Sequence, residues 1–350
     1  MAVATLFFLT SGLFLGWSLG ANDTANIFGT AVGTRMIRFS TAAALASVFI
    51  LVGAVVGGSG PAATLSRLGA VDALAGAFVA ALAAGVAVFL MTRSGLPVSS
   101  SQAIVGAIVG WNLFTGNETD VGLLAGILST WVICPGIATL FAAGMFLLAR
   151  LVLRRASIHL LRLDAYTRLG LIVTGIFGAY SLGANNIANV VGVFLPASPF
   201  TDFTVAGRWV VTSAQQLYFV GGLAIAVGVV TYSERVMSTL GENLLPLTPI
   251  GAWVAVLAHS LVLFLFSSQG VAALLHGLGL PALLLVPVSS SQAVVGAVVG
   301  IGLVRGMAAI RWRVLLRIVV GWVTTPVVAG LLCWMGLFFM QNVFDQVVAR

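Results

Sequence analysis

Two short polar stretches, each present twice, carry the chemistry of this 350-residue chain. The first reads PVSSSQAIVGAIVG over 97–110 and returns as PVSSSQAVVGAVVG over 287–300, with 12 of 14 positions identical. Ser99, Ser100, Ser101 and Gln102, and again Ser289, Ser290, Ser291 and Gln292, place three hydroxyls and an amide ahead of a helix-forming apolar run. Pro97 and Pro287 set where each helix starts, because the residue before a proline avoids helical backbone. A helix N-terminus leaves its first N–H groups unbonded and carries about half a positive charge. Combined with the serine hydroxyls, that is the geometry of an anion site. No arginine lies inside either copy, so the anion is held by neutral donors, which suits a ligand that must also leave. The competing reading is a capped helix whose Gly106 and Gly110 allow close packing. Packing alone does not call for three serines and a glutamine twice.

The second stretch reads GANDTAN over 20–26 and GANNIAN over 183–189. Asn22 and Asn26 are four residues apart and share a helix face, with Asp23 beside it. A carboxylate at mid-bilayer costs about 2.5–3.5 kcal/mol even on the lenient insertion scale, so it is kept for a site or a partner. Gly20 and Gly29 let the helix break and free carbonyl oxygens. Carboxylate, amide and carbonyl oxygens suit a hard cation or a proton. The cation-coupling candidates are therefore Asn22, Asp23, Asn26, Asn185, Asn186 and Asn189. Asparagine as hydrogen-bonding glue between helices is the plainer alternative, and the repetition of the whole cluster argues against it. No catalytic residues are expected: HExxH, a nucleophile elbow, a Walker motif and a Cys/His ligand set are all missing. Cys134 and Cys333 sit in apolar runs and imply neither a disulfide nor a metal centre. His259 reads as a packing histidine, and Trp111, Trp209, Tyr218 and Trp312 as anchors at the membrane interface.

The elements that must position these residues are membrane helices. The chain is 60% hydrophobic and 7% charged, against roughly 25% charged in a soluble domain. Apolar runs fall near 4–34, 39–58, 72–91, 97–116 and 121–149, then 169–196, 208–231, 247–267, 283–304 and 318–341. They are continuous and long enough for a hydrocarbon core of about 30 Å, which excludes a β-barrel of short alternating strands. The fold class is all-α polytopic. Residues 1–149 form a first repeat, 150–168 a basic cytoplasmic linker, and 169–350 a second repeat. Net charge is +7 and every basic residue is arginine. The arginines lie between spans, where the positive-inside rule rather than nucleic-acid binding explains them. With Arg150, Arg154, Arg155, Arg162 and Arg168 in the cytoplasm, every strong basic cluster falls on one side. Both termini are then outside, the chain is a multi-pass protein of the cell (inner) membrane, and five crossings per half make the repeats inverted. Each serine segment counts as one net crossing; a re-entrant hairpin with a further span has the same hydropathy. Two similar halves with interrupted spans mark a secondary transporter.

The duplicated motifs, in this order along nearly the whole chain, resemble the inorganic phosphate transporter (PiT) family of sodium- or proton-coupled phosphate permeases. The resemblance implies an inverted-repeat fold with broken helices and two re-entrant hairpins. It implies phosphate between the hairpin tips, on Ser99, Ser100, Ser101, Ser289, Ser290 and Ser291. It also implies sodium beside it, at Asn22, Asp23, Asn185 and Asn186, with protons as the alternative coupling ion. The chain departs from the family in two places. PVSSSQ stands where PVSTTH is common, so Gln102 and Gln292 replace a histidine. Asn186 stands where a second aspartate is usual. The expected function is cation-coupled symport of inorganic phosphate by alternating access, with no cofactor beyond the coupling ion. A permease for sulfate or another tetrahedral oxyanion is the alternative, and a passive anion channel the alternative of a different class. Lipid surrounds such a protein, and a homodimer is its common assembly.

Overall fold

The computed structural model describes residues 2–93, 98–156, 158–205, 207–240, 247–281, 283–307 and 310–349. Helix α1 (Ala2–Asp23) turns at Thr24 into α2 (Ala25–Gly33). There follow α3 (Phe39–Gly57), α4 (Ser59–Gly69), α5 (Leu74–Arg93), α6 (Ser100–Thr115) and α7 (Val121–Arg155). The second half holds α8 (Leu160–Val191), a 3-10 turn at Gly192–Phe194, and a hairpin of β1 (Phe203–Val205) and β2 (Trp209–Val211). It continues with α9 (Ser213–Leu240), α10 (Pro249–Ser267), α11 (Gln269–Gly277), α12 (Ser290–Arg305) and α13 (Trp312–Asn342).

Seven of these helices are long and apolar enough to cross a membrane: α3, α5, α7, α8, α9, α10 and α13. Their outward faces show why. Val48, Val52 and Val56 on α3, and Val320, Val323, Val327 and Leu331 on α13, are exposed at helical spacing. A stripe of that length belongs against lipid, not water. The protein is thus an all-helical, multi-pass membrane protein apart from one small hairpin.

The halves interlock by exchange. Helix α1 of the first half lies on α9 of the second, and α3 lies on α8. In the same manner α6 packs on α13, and α12 on α7. Each crossing is made by glycines whose missing Cβ leaves room for the facing backbone. Gly20 meets the carbonyl of Ile225, and Gly53 that of Tyr180. Gly106 and Gly110 meet Pro326 and Gly330; Gly296 and Gly300 meet Pro135 and Thr139. In a bilayer, where tails are as apolar as leucine, such close approach supplies the helix attraction. The order of these contacts shows that α6 runs parallel to α13 and α12 parallel to α7. By the same test α3 runs parallel to α8 (Gly53 on Tyr180, Gly57 on Ala184), and α1 parallel to α9. Once the helices are paired, a further repeat becomes visible. GAFVAALAAGVAVFL over 76–90 in α5 matches GAWVAVLAHSLVLFL over 251–265 in α10 at 8 of 15 positions.

Several expectations need correction. The serine segments do not cross as full-length helices. Helices α6 and α12 have 16 residues each, about 24 Å at 1.5 Å per residue, and both start inside the protein. The stretch 283–289 leading to α12 is non-helical; Pro97, expected to start the first copy, lies outside the described residues. The GAND helix is interrupted only at Thr24, which keeps helical backbone angles and whose hydroxyl donates to the Gly20 carbonyl at 2.8 Å. Helix α8 runs unbroken through 183–189. Between α7 and α8 only 156–159 separate the helices, so the arginines of 150–168 sit mostly on helix ends. Part of the expected span at 208–231 is the β-hairpin, with Trp209 on its second strand. Trp111 is no interface anchor: it is buried, and its Nε1–H donates to the Val348 carbonyl at 3.0 Å. Beyond the apolar run ending near 231, α9 continues as helix to Leu240, and 241–246 lie outside the described residues.

Candidate functional site

The two serine tips meet in the middle of the fold, and the two asparagine motifs flank them. Each tip begins with a serine used as a helix cap. The Gln102 N–H donates to Ser99 Oγ at 3.2 Å, and the Gln292 N–H to Ser289 Oγ at 3.2 Å. An Ncap serine satisfies one of the orphan donors at a helix start. The N–H groups of Ser100 and Ser101, and of Ser290 and Ser291, lie at the positive end of each helix dipole. The sequence reading assigned Ser99 and Ser289 to the anion; in the structure their lone pairs also serve their own helices.

The tips are tied together directly. Ser101 Oγ donates to the Val288 carbonyl at 3.2 Å. Asn185 clamps the same residue from α8: its Nδ2 donates to the Val288 carbonyl at 2.7 Å, and its Oδ1 accepts the Val288 N–H at 3.0 Å. The asparagines then cross between halves in a reciprocal way. Asn26 of the first half donates to Ser290 of the second at 2.9 Å. Asn189 of the second donates to Ser101 of the first at 3.0 Å. Ser289 and Ser291 share a hydrogen bond at 3.0 Å. The side-chain oxygens of Gln102, Gln292 and Asn189 are buried without a partner among the described residues.

Asp23 is the charged member of this group, and it is 2% exposed. Its Oδ2 accepts from Asn186 Nδ2 at 2.7 Å and from Ser100 Oγ at 3.5 Å; its Oδ1 accepts from Asn22 Nδ2 at 3.1 Å. All three donors are neutral. Among the described residues no basic group pairs with it; Arg168–Asp164 is an exposed i,i+4 pair on α8. Asp23 thus bridges the two halves: Asn22 and Ser100 come from the first, Asn186 from the second. A buried carboxylate so placed is an attractor for a cation, and its neighbouring carbonyl and hydroxyl oxygens are the ligands a hard cation takes. Exposure differs between the halves. Asn22 and Asn26 are half-buried, whereas Asn185, Asn186 and Asn189 are fully buried.

All fourteen residues singled out in the sequence are thereby brought into one region. One further residue joins them. His259, read from sequence as packing, is fully buried, and its Nε2 lies 2.9 Å from Ser290 Oγ. The signal that would have found it is the repeat between α5 and α10, in which Ala84 stands opposite His259.

Several known proteins resemble this chain along most of its length. The sequence pattern of the phosphate transporter family matches residues 19–164 and, a second time, 159–333. A protein of Methanocaldococcus jannaschii named as a presumed phosphate permease is 26% identical over 321 residues, covering 92% of this chain and 93% of that one. An inorganic phosphate transporter of the Arabidopsis thaliana chloroplast is 26% identical, covering 95% of this chain and 71% of its own. A solved structure described as the sodium-dependent phosphate transporter superposes with a TM-score of 0.77 at 22% identity, over 98% of this chain and 100% of that one.

Proposed function

The chain belongs to the phosphate transporter family, and from that premise we propose that it is a sodium-coupled symporter of inorganic phosphate working by alternating access. The family is one of transporters, not of enzymes. The observation that carries the reading is the position of Asp23 beside the α6 N-terminus, bonded to Asn186 of the other half. The tips offer N–H groups and hydroxyls suited to a tetrahedral oxyanion. The same space is faced by a carboxylate with no cationic partner among the described residues. An oxyanion and a bare carboxylate in one buried site repel each other. A cation bound at Asp23 removes that repulsion and turns it into attraction, so the two solutes enter together. This is what coupling requires: each ligand raises the affinity for the other.

In this reading Ser100, Ser101, Ser290 and Ser291 hold the anion, with Ser99 and Ser289 setting the tips and Gln102 and Gln292 behind them. The cation sits at Asp23, with Asn22, Asn185 and Asn186 around it, and with Asn26 and Asn189 linking it to the serines. Sodium is preferred to a proton because the structural relative is described as sodium-dependent and because amide oxygens are ligands rather than bases. Helix directions support inverted repeats. Helix α1 reaches α3 through a reversal at 34–38, and α3 runs parallel to α8, so α1 and its repeat mate α8 run in opposite directions. The half-helices α6 and α12 then descend on the site from opposite faces, each as the inner arm of a re-entrant segment. Arginines at the α7–α8 junction favour a cytoplasmic position for that end, which in this reading leaves both termini outside.

Proteoliposomes test this. Uptake of labelled phosphate should require an inward sodium gradient and be competed by unlabelled phosphate. Uptake that follows a proton gradient alone would replace the cation. Sulfate uptake by vesicles into which phosphate neither enters nor competes would replace the anion. Flux driven by the anion gradient with no response to cations would make the protein a channel.

A further inference from the structure

The oxygen of Ser290 is held from two sides at once. Asn26 Nδ2 donates to it at 2.9 Å from the first half, and His259 Nε2 lies 2.9 Å away on α10. A hydroxyl has one proton and two lone pairs. If His259 carries its proton on Nε2, both lone pairs of Ser290 are filled and the hydroxyl proton must point along the third direction. If His259 carries it on Nδ1, Ser290 donates to Nε2 and has no proton left for any other acceptor. The structure distinguishes these. His259 Nδ1 is buried and has no partner among the described residues. A buried N–H without an acceptor is rarer in proteins than a buried lone pair without a donor. The Nε2–H form is therefore the better satisfied one.

We propose that His259 is a positioning residue of the anion site, which, together with Asn26, turns the Ser290 hydroxyl proton toward the bound anion. The proposal rests on the phosphate-symport reading of the same site. It also makes the two tips unequal. The residue matching His259 in the first half is Ala84, which offers no donor. The matching serine, Ser100, donates to Asp23 Oδ2 at 3.5 Å instead. At 3.5 Å that bond is long, so Ser100 is drawn loosely to the carboxylate until the cation takes over Asp23, whereas Ser290 is ready before the cation arrives. One tip is fixed and the other is conditional, so anion binding starts on the second half and is completed by the cation on the first.

Labelled-phosphate uptake into proteoliposomes, at saturating sodium, decides it with five variants. His259→Leu should raise the KM for phosphate by about tenfold or more, the loss expected for one hydrogen bond to a charged ligand. Vmax and the sodium half-saturation should stay near those of the wild type, which a general loosening of α10 would not spare. His259→Gln should keep the wild-type KM, because the glutamine amide N–H reaches the position of Nε2. His259→Asn, whose shorter amide reaches only the Nδ1 side, should resemble His259→Leu. In a Ser290→Ala background His259→Leu should add nothing, since the hydroxyl it aims is gone. An undiminished effect in that background, or a His259→Gln variant as impaired as His259→Leu, would overturn the proposal. Should the leucine variant not fold, the contrast between glutamine and asparagine still decides. A wild type that moves no phosphate would end the symport reading and this inference with it; a phosphate-moving wild type indifferent to His259 would end this inference alone.

Discussion

Replacing Asp23 by asparagine separates a structural from a coupling role, because the change keeps the shape and deletes the charge. The carboxylate accepts three hydrogen bonds, from Asn186 at 2.7 Å, Asn22 at 3.1 Å and Ser100 at 3.5 Å. An asparagine retains one carbonyl oxygen for Asn186, and Asn22 can turn its own amide to present an oxygen. The second half already carries asparagine at the matching position, Asn186, so the fold accommodates it. What is lost is the attraction for the cation. Two unit charges about 4 Å apart interact by about 4 kcal/mol at the effective dielectric near 20 that suits protein sites. At about 1.4 kcal/mol per decade that is roughly three decades in cation affinity. The same arithmetic with opposite sign applies to phosphate in the absence of sodium, whose repulsion from the carboxylate disappears. Asp23→Asn should therefore lose sodium activation over the accessible range while gaining sodium-independent phosphate binding. Uptake as a function of sodium, together with equilibrium phosphate binding in sodium-free buffer, reads both arms. A variant that keeps the wild-type sodium half-saturation would show that Asp23 is only structural and would remove the basis for coupling.

Ser100→Ala and Ser290→Ala should each weaken phosphate binding by about 10- to 100-fold, the range for hydrogen bonds to a charged group, and the double variant should depart from additivity. Strictly additive losses in a binding titration would put the tips on separate ligands. Gly296→Ala, whose Cβ would meet the Pro135 carbonyl, should push α12 from α7 and lower the thermal midpoint in detergent by the equivalent of about 1–3 kcal/mol. Gly136→Ala on the same α7 has open space and should leave the midpoint unchanged; equal effects of the two would refute the packing account. Asn186→Asp would face Asp23 at a contact now 2.7 Å long, and two carboxylates so close share a proton or need a further cation. It should make uptake depend on pH or raise the Hill coefficient for sodium, and a variant with neither change would contradict the bridging geometry.

The duplicated motifs were legible because they are polar residues in an apolar chain, where each must have a reason. Each of the ten apolar runs likewise contains an observed helix, although the run at 208–231 begins in the β-hairpin and the run at 283–304 begins in non-helical chain. Three things were not legible. The serine helices are short because their N-termini stop at the site, and hydropathy does not register where a buried apolar stretch ceases to be helical. The interruption at Thr24 coincides with a hydroxyl bonding the Gly20 carbonyl, a choice threonine makes only in context. His259 was obscured because a single histidine on an apolar helix looks like packing. It stands out only against Ala84, and that alignment appears only when α5 and α10 are recognised as mates.

The two halves are alike in backbone and unlike in charge, and the geometry supplies the reason. Asn186 and Asp23 occupy matching places in the repeats and touch each other across the interface between them. A strictly symmetrical pair of aspartates there would bring two carboxylates together in a buried site, which only a proton or another cation can hold. Asparagine in one copy lets the other keep its charge with a neutral donor against it. The same asymmetry recurs at the tips, where Ser100 faces the carboxylate and Ser290 faces an imidazole and an asparagine. A duplicated scaffold thus provides two equivalent ways of reaching the centre, and a few unmatched side chains at the centre divide the work. In the proposed symport the first half holds the charge that the cation answers, and the second presents the donor that the anion meets.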